Sequence, residues 1–413
     1  LHAGRIFSPF KNLGNLARII GWLIVSHHRL PIPPADELLS ERGLLLLPLP
    51  QGIGSNWCGS RLQSSEAEVA ACWTFKHGLP FASRHWREHA GKLATALQRH
   101  LALKPLPSTP SPYLLHIARL ALMLADHHYS SQPSRKRYGD KVGKAKTLYA
   151  NTDRDTGQLK QRLDEHLIGV EVNASRLVRA LPRLNDQLAH LVHRAFRQRA
   201  TAAFAWQNQA FELAEGLRDR SREYGFFGVN LASTGCGKTL ANGRILYGLA
   251  DPRHGARFTI ALGLRTLTLQ TGDAYRDRLS LGGDEMAVMV GGRAVRELHE
   301  LQKALSRDEA SGSESGEALI PEWSPVIFEG AGEDGPLNRW LGESPDAQKM
   351  LNAPVLVCTV DHLMPACEST RGGHQIPPML RLMSSDLVLD EPDDFDIGDL
   401  HALSRLVHWA GLL

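Results

Sequence analysis

The run Ala232-Ser233-Thr234-Gly235-Cys236-Gly237-Lys238-Thr239 has the residue types and spacing needed to hold the phosphates of a nucleotide. Its glycines let the backbone curl so that successive N–H groups point at phosphate oxygens, and a following helix adds the positive end of its dipole. In such a cradle, formed by Ser233, Thr234, Gly235, Cys236, Gly237, Lys238 and Thr239, Lys238 reaches the β- and γ-phosphates of ATP and the Thr239 hydroxyl ligates Mg²⁺. Ala232 stands where the general G-x-x-x-x-G-K-[ST] pattern has its first glycine. Far downstream, Asp386-Leu387-Val388-Leu389-Asp390-Glu391-Pro392-Asp393 places two carboxylates at the tip of a short apolar run. Asp390 is the candidate to hold the Mg²⁺, directly or through water, and Glu391 to polarise an attacking water. Lys238, Asp390 and Glu391 are therefore the expected catalytic residues. The competing reading of the acidic box is a solvated turn, since Asp394, Asp396 and Asp399 lie close by.

A second group of side chains sits in the first half. His27 and His28 follow an apolar helical run, and Asp126 ends another. A carboxylate leaving a buried helix needs a charge partner or a metal, because bare burial costs several kcal/mol. Imidazole together with carboxylate suits Mn, Fe, Ni or Zn rather than Mg alone. Neighbouring residues on a helix diverge by about 100°, so adjacent histidines fit a helix end where two ligands splay around one ion. A pair of polar caps is the alternative. His77, His85, His89, His127 and His128 read mostly as surface residues.

Four further residues carry weaker signals. Gln207, upstream of the phosphate loop, could read adenine through its side-chain amide or be an ordinary exposed helical residue. Arg265 and Gln270 after the apolar run Phe258 to Leu262, and Thr359 after Val355 to Cys358, lie at strand ends where they could grip a nucleic-acid backbone.

These residues need elements to position them. Residues Leu13 to Ile24 place Leu13, Leu16, Ala17, Ile20, Leu23 and Ile24 on one helical face, stopped by Pro31, Pro33 and Pro34. Glu66 to Lys76 and His85 to Leu103 read as two more helices. The Pro-rich stretch Pro105 to Pro112 reads as a linker, and Leu114 to Ala125 as a buried helix ending in Asp126-His127-His128. Gln132 to Gly157 reads as an exposed basic loop, with helical patterns from Leu159 to about Gly216. Thereafter the short apolar runs Phe226 to Leu231, Phe258 to Leu262, Met286 to Val290, Val355 to Cys358 and Leu387 to Leu389 alternate with helical ones, the texture of a parallel sheet. Ser306 to Glu317 reads as a surface insertion. The expected boundary lies near 195–205, giving an all-α domain over 1–200 and an α/β domain over 201–413.

Composition bounds the class. At roughly 100–200 residues per domain, 413 residues make two or three domains. The 43% hydrophobic and 22% charged fractions exclude a disordered, collagen-like or disulfide-stapled chain. With 47 Lys+Arg against 44 Asp+Glu the net charge is +3, so any basic nucleic-acid surface is local. The five cysteines form no C-x-x-C pair and read as reduced thiols of a cytoplasmic protein. The longest apolar stretches, Ile19 to Val25 and Leu44 to Leu47, fall short of the ~20 residues of a membrane span. No charged segment with an apolar core opens the chain as a signal peptide would. The first residue is Leu1 rather than Met, the mark of a fragment or a processed chain.

Ala232 to Thr239, Ile260 to Thr271, Thr359 to Leu363 and Asp390 to Asp393, in that order, resemble motifs I, Ia, Ic and II of a superfamily-2 DExD/H-box helicase. The longer stretches Trp22 to Pro31 and Phe226 to Thr239 resemble the CRISPR-associated HD nuclease–helicases of type I systems, in the I-F (Ypest) subtype. The resemblance implies an HD-type metallohydrolase domain followed by a RecA-like P-loop ATPase domain. It implies that His27 and His28 match paired-histidine metal ligands and Asp126 the late aspartate, with Mn²⁺, Fe²⁺ or Ni²⁺ in that site and ATP with Mg²⁺ in the other. The family's earlier ligands would lie before Leu1, and its second RecA-like domain after Leu413, so turnover by this stretch alone is expected to be weak. For the intact protein the resemblance implies cleavage of the displaced single strand of an R-loop and 3′ to 5′ translocation. Its partners would be a crRNA-guided surveillance complex and, in this subtype, the CRISPR integrase. A superfamily-2 translocase without nuclease activity, and a nucleotide-regulated binding module, are the alternatives.

Overall fold

The computed structural model describes residues 10, 12–31, 67, 74, 82–107, 111–140, 148–153, 156–233, 235–263, 265–289, 319–320, 326–327, 336–341, 344–368, 371–392 and 395–413. The expected helix over 66–76, the insertion over 306–317, and Thr234, Gly291, Gly292, Asp393 and Asp394 fall wholly or mostly outside them. The chain forms two compact units: Leu1–Arg179 with Gly312–Glu317 and Thr370–Gly373, and the remainder.

The first unit is helical among its described residues. Helix α1 (Asn15–Ser26) ends as expected at His27. Helix α2 (Arg84–Leu103) starts on Ser83, whose hydroxyl accepts from the Trp86 N–H and so satisfies one open helix donor. Helix α3 (Pro112–Ser131) opens with Pro112 in its first turn, where the missing N–H costs nothing. It does not stop at Asp126, as its apolar pattern suggests, but runs through His127 and His128 to Ser131. No glycine or proline interrupts it before Gln132, and the Asp126 side chain is spent inward rather than on a cap. Helix α4 (Leu163–Ala180) packs against α3 at Gly169, where any Cβ would collide with the Tyr129 ring. Tyr129 then reaches Glu165, whose carboxylate also accepts from Ser134 and the Arg135 N–H. Between α3 and α4 the expected basic loop is partly built: residues 149 and 162, and 152 and 159, pair as antiparallel bridges. Arg29 likewise bridges Arg371, and the Gly372 N–H donates to the His28 carbonyl.

The second unit is mixed α/β. Residues 181–204 belong to it through short 3₁₀ turns: Leu191 pairs with Ala256, and Phe196 is fully buried in the core. Helices α5 (Trp206–Tyr224) and α6 (Lys238–Leu249) precede strand β1 (Phe258–Leu262) and helix α7 (Arg265–Leu279). Strands β2 (Met286–Met289) and β3 (Val326–Ile327), helix α8 (Pro345–Asn352), strand β4 (Val355–Thr359), helix α9 (Gly372–Ser384), strand β5 (Asp386–Asp390) and helix α10 (Leu400–Leu412) follow. The sheet order is β3-β2-β4-β1-β5, parallel except for β3. Strands β1, β2 and β4 are buried throughout, which is why they read as unbroken apolar runs. The register sets Leu262 beside Thr359 and Asp390, so the strands end level on the side where open α/β sheets bind ligands. At the opposite end, buried Arg257 and Arg381 donate to carbonyls, among them Met350, Leu351 and Ala353 at the close of α8. These are open acceptors at the negative end of a helix, so they stand in for a carboxylate partner.

One expected strand is absent. Among the described residues, 226–231 have no ladder partner, and they expose Phe227, Val229 and Leu231 to 79%, 69% and 88%. Among the described residues, β5 pairs only with β1 and no strand lies beyond it. For the same reason β5 is half-exposed until Asp390 rather than buried as its sequence suggests.

Candidate functional site

Two sites emerge, one in each unit. In the α/β unit, Gly235 and Gly237 have φ of +80° and +77°, the left-handed region that glycine enters without strain. Gly237 is required twice over, because a Cβ there would meet Gln207 Nε2 at 2.7 Å and Phe204 at 3.1 Å. The loop is fastened from α5. Trp206 Nε1 donates to the Cys236 carbonyl at 3.1 Å and Gln207 Nε2 to the Gly237 carbonyl at 3.1 Å. Gln207 Oε1 accepts from buried Arg244 at 3.3 Å, so this amide, expected to read adenine, is engaged with the loop itself.

Lys238 and Thr239 open α6, and Thr239 Oγ1 lies 3.5 Å from Asp390 Oδ2 across 151 residues of sequence. Tyr275 donates to the Thr239 carbonyl at 2.7 Å and fixes the helix start. Asn242, one turn after Thr239, donates to Asp390 Oδ1 at 3.2 Å, while its own oxygen accepts from Asn230, which in turn accepts the Ala232 N–H. Burial raises the Asp390 carboxyl above the usual range, and Lys238, Thr239 and Asn242 work against that rise. Glu391 has φ +53°, a conformation rare outside glycine and asparagine and typical of residues held for function. A hydroxyl and a carboxylate converging beside a lysine at a helix N-terminus form a fitting donor set for Mg²⁺ and a polyphosphate.

The expected nucleic-acid contacts are less uniform. Gln270 is exposed on α7, whereas Thr359 is buried, its hydroxyl 2.8 Å from His362 Nδ1. The Arg265 side chain is outside the described residues. Asn242, Asn230, Trp206 and Tyr275 were not flagged by the sequence; the i+3 spacing of Asn242 from Thr239 was the available signal.

In the helical unit, ligand atoms of His27, His28 and Asp126 all lie within 4.8 Å of one another. His27 Nδ1 is bonded to the Ile24 carbonyl at 2.6 Å, leaving Nε2 as its available nitrogen. Burial, then neighbouring His28, lowers the His27 pKa, favouring the neutral ring that can donate a lone pair. Burial pushes Asp126 upward, but the hydrogen bond and charge of His166, together with the charges of His28 and His27, outweigh it and hold the carboxyl below the ordinary range. Asp126 is 6% exposed, and among the described residues its Oδ2 has no hydrogen-bond partner, lying 3.7 Å from His28 Nε2. A buried oxygen left open beside two imidazoles is what a divalent ion would complete, and the mixed nitrogen and oxygen donors suit Mn, Fe or Ni. His166, which sequence reasoning passed over, supplies the partner of the other oxygen, Oδ1, at 3.0 Å.

No family model matches this chain. It is 57% identical, over 410 residues, to the CRISPR-associated nuclease/helicase Cas3 subtype I-F/YPEST of Pseudomonas aeruginosa. Over 423 residues it is 48% identical to the protein of the same description from Pectobacterium atrosepticum. Each match covers 98% of this chain, which spans 37% and 38% of the two relatives' own length.

Proposed function

We propose, taking the chain as a segment of an I-F/YPEST CRISPR-associated nuclease–helicase, that it contributes a metal-dependent nuclease site and one nucleotide-binding lobe of a DNA translocase. The helical unit, to residue 179, is read as the HD-type domain, and the α/β unit, which takes in 180–200 from the division expected at 200/201, as the RecA-like domain. The observation that carries this reading is the convergence of His27, His28 and Asp126 around one open buried oxygen, in a chain that also brings Thr239 to Asp390.

At the first site His27, His28 and Asp126 hold a transition metal, Mn²⁺, Fe²⁺ or Ni²⁺. Such an ion, when bound, polarises the phosphodiester and activates water. At the second, the amides from Ser233 to Thr239 grip the phosphates of ATP, Lys238 spans the β- and γ-phosphates, and Thr239 with Asp390 holds Mg²⁺. Glu391 orients the attacking water. Trp206 and Gln207 keep the loop in shape for this. The substrate is the displaced single strand of an R-loop opened by a crRNA-guided complex, read through its backbone and bases' stacking faces, with movement 3′ to 5′. Gln270, exposed on α7, is read as meeting that backbone, and Arg265 keeps the same expected role.

The test is cleavage of single-stranded DNA with Mn²⁺ by the chain extended to its relatives' length, with and without ATP. His28→Ala is expected to abolish cutting, and Lys238→Ala to spare it while removing ATP-driven degradation of duplex. Cutting by His28→Ala at the wild-type rate sinks the nuclease reading.

A further inference from the structure

The metal reading assigns Asp126 one role but leaves open which of its oxygens serves it. A carboxylate on a flexible torsion can present either oxygen, or both, to an ion. Here it is held. His166 Nε2 lies 3.0 Å from Asp126 Oδ1, and since an ionised carboxylate only accepts, the ring donates. The other ring nitrogen, Nδ1, lies 3.0 Å from Gln161 Oε1. The orientation of that amide is itself fixed, because Gln161 Nε2 donates to the carbonyls of Tyr129 and Gln132, both at 2.7 Å. Asn151 Nδ2 donates to the same Gln161 oxygen at 3.0 Å, and Asn151 Oδ1 accepts the Gln161 N–H. Gln161 is fully buried, and the His166 side chain is 13% exposed.

The imidazole is therefore set between Asp126 Oδ1 and Gln161 Oε1, the latter fixed by a chain running from the 149–162 turn to the end of α3. Its one contact with the His27, His28 and Asp126 group occupies Oδ1 and leaves Oδ2 facing the histidines. We propose that His166 is a positioning residue of the metal centre, pinning Asp126 so that it ligates through Oδ2 alone. This rests on the metal reading above. Outer partners of ligating carboxylates fix orientation, and their loss typically costs about 10–100-fold in metal affinity.

The experiment is Mn²⁺ binding to the full-length protein, followed by the loss of the free-ion paramagnetic resonance signal, which requires no catalysis. Wild type, Asp126→Ala, His166→Leu and His166→Gln are compared, with melting temperature recorded for each. Glutamine keeps an N–H donor within reach of Oδ1, while leucine keeps only bulk. The expected pattern is a site lost in Asp126→Ala, weakened at least tenfold in His166→Leu, and restored to within about threefold of wild type in His166→Gln. If His166→Leu binds as tightly as wild type, or if His166→Gln is as weak as leucine while melting like wild type, His166 does not position the ligand. If Asp126→Ala binds as well as wild type, the metal reading itself has failed and this inference falls with it.

Discussion

The two sites are built in opposite ways. The phosphate site is made of backbone from one contiguous stretch, and its side-chain supports, Trp206 and Gln207, act on the carbonyls of that stretch. The histidine–aspartate site is made of side chains from positions 27, 28, 126 and 166, brought together by the packing of α1 and α4 against α3. A site of the first kind depends on the dihedral angles a few residues can adopt. One of the second kind depends on buried hydrogen bonds far apart in sequence. The first should therefore fail abruptly when a single backbone position is changed, and the second should degrade in steps as successive partners are removed.

The sharpest test of that contrast is Gly237→Ala. The residue must take φ +77° with a side chain, and its Cβ displaces the Gln207 amide that holds the loop. Left-handed strain of about 1–2 kcal/mol and loss of a hydrogen bond worth about 1 kcal/mol predict on the order of a hundredfold weaker nucleotide binding, by fluorescent-nucleotide titration. Binding within twofold of wild type would show that the loop does not need this backbone.

Acid separates the two units next. His362 is buried in the α/β unit and its pKa is pushed down to about 4, burial being the main cause. Its folded value lies below the unfolded one near 6.5, so the stability it supports is present above pH 6.5 and is lost as pH falls toward 4. The linkage amounts to about 2 kcal/mol at pH 5. Asp126 is held below the ordinary carboxylate range, so its contribution is present above the unfolded value and disappears only as pH falls further still. Melting scans between pH 7 and 5 should lower the transition of the α/β unit more than that of the helical unit, where His27 is also lowered by burial, and His362→Gln should flatten the α/β slope. An equal fall in both units would remove the distinction.

The smallest effect is expected from Asn242→Leu, which breaks the link from Asp390 to Asn230 without touching the loop backbone. One hydrogen bond of ordinary strength, about 1 kcal/mol, predicts roughly a five- to tenfold loss in affinity for nucleotide with Mg²⁺. Affinity measured in a chelator should not change. A loss of equal size in chelator would place Asn242 in the loop's architecture instead.

The same contrast explains what could be read beforehand. Strands β1, β2 and β4 were legible because burial on both faces makes them continuous apolar runs, and the phosphate loop because its chemistry is local. Asp390 could be assigned to the nucleotide site in advance because it ends the short apolar run of β5, and Thr239 because it closes the phosphate-loop pattern. His166 was not legible: it lies in an ordinary amphipathic helix, and only the side chain of Gln161, itself fixed by two carbonyls, gives it direction. The 226–231 run was misjudged for a different reason. Its composition is that of a strand, but a strand is defined by its neighbours, and none of the described strands of this chain stands on its far side.

That run has a practical consequence. From Tyr224 to Gly237 there is no charged residue, and Phe227, Val229 and Leu231 lie largely in solvent close in sequence to the phosphate loop. Among the described residues, strand β5 meanwhile uses only one of its two edges, on β1. An uncharged, β-prone segment and an open strand edge in one molecule are what template pairing between copies. This stretch prepared by itself is therefore expected to self-associate through residues 226–231 and β5 as its concentration rises, which light scattering would follow.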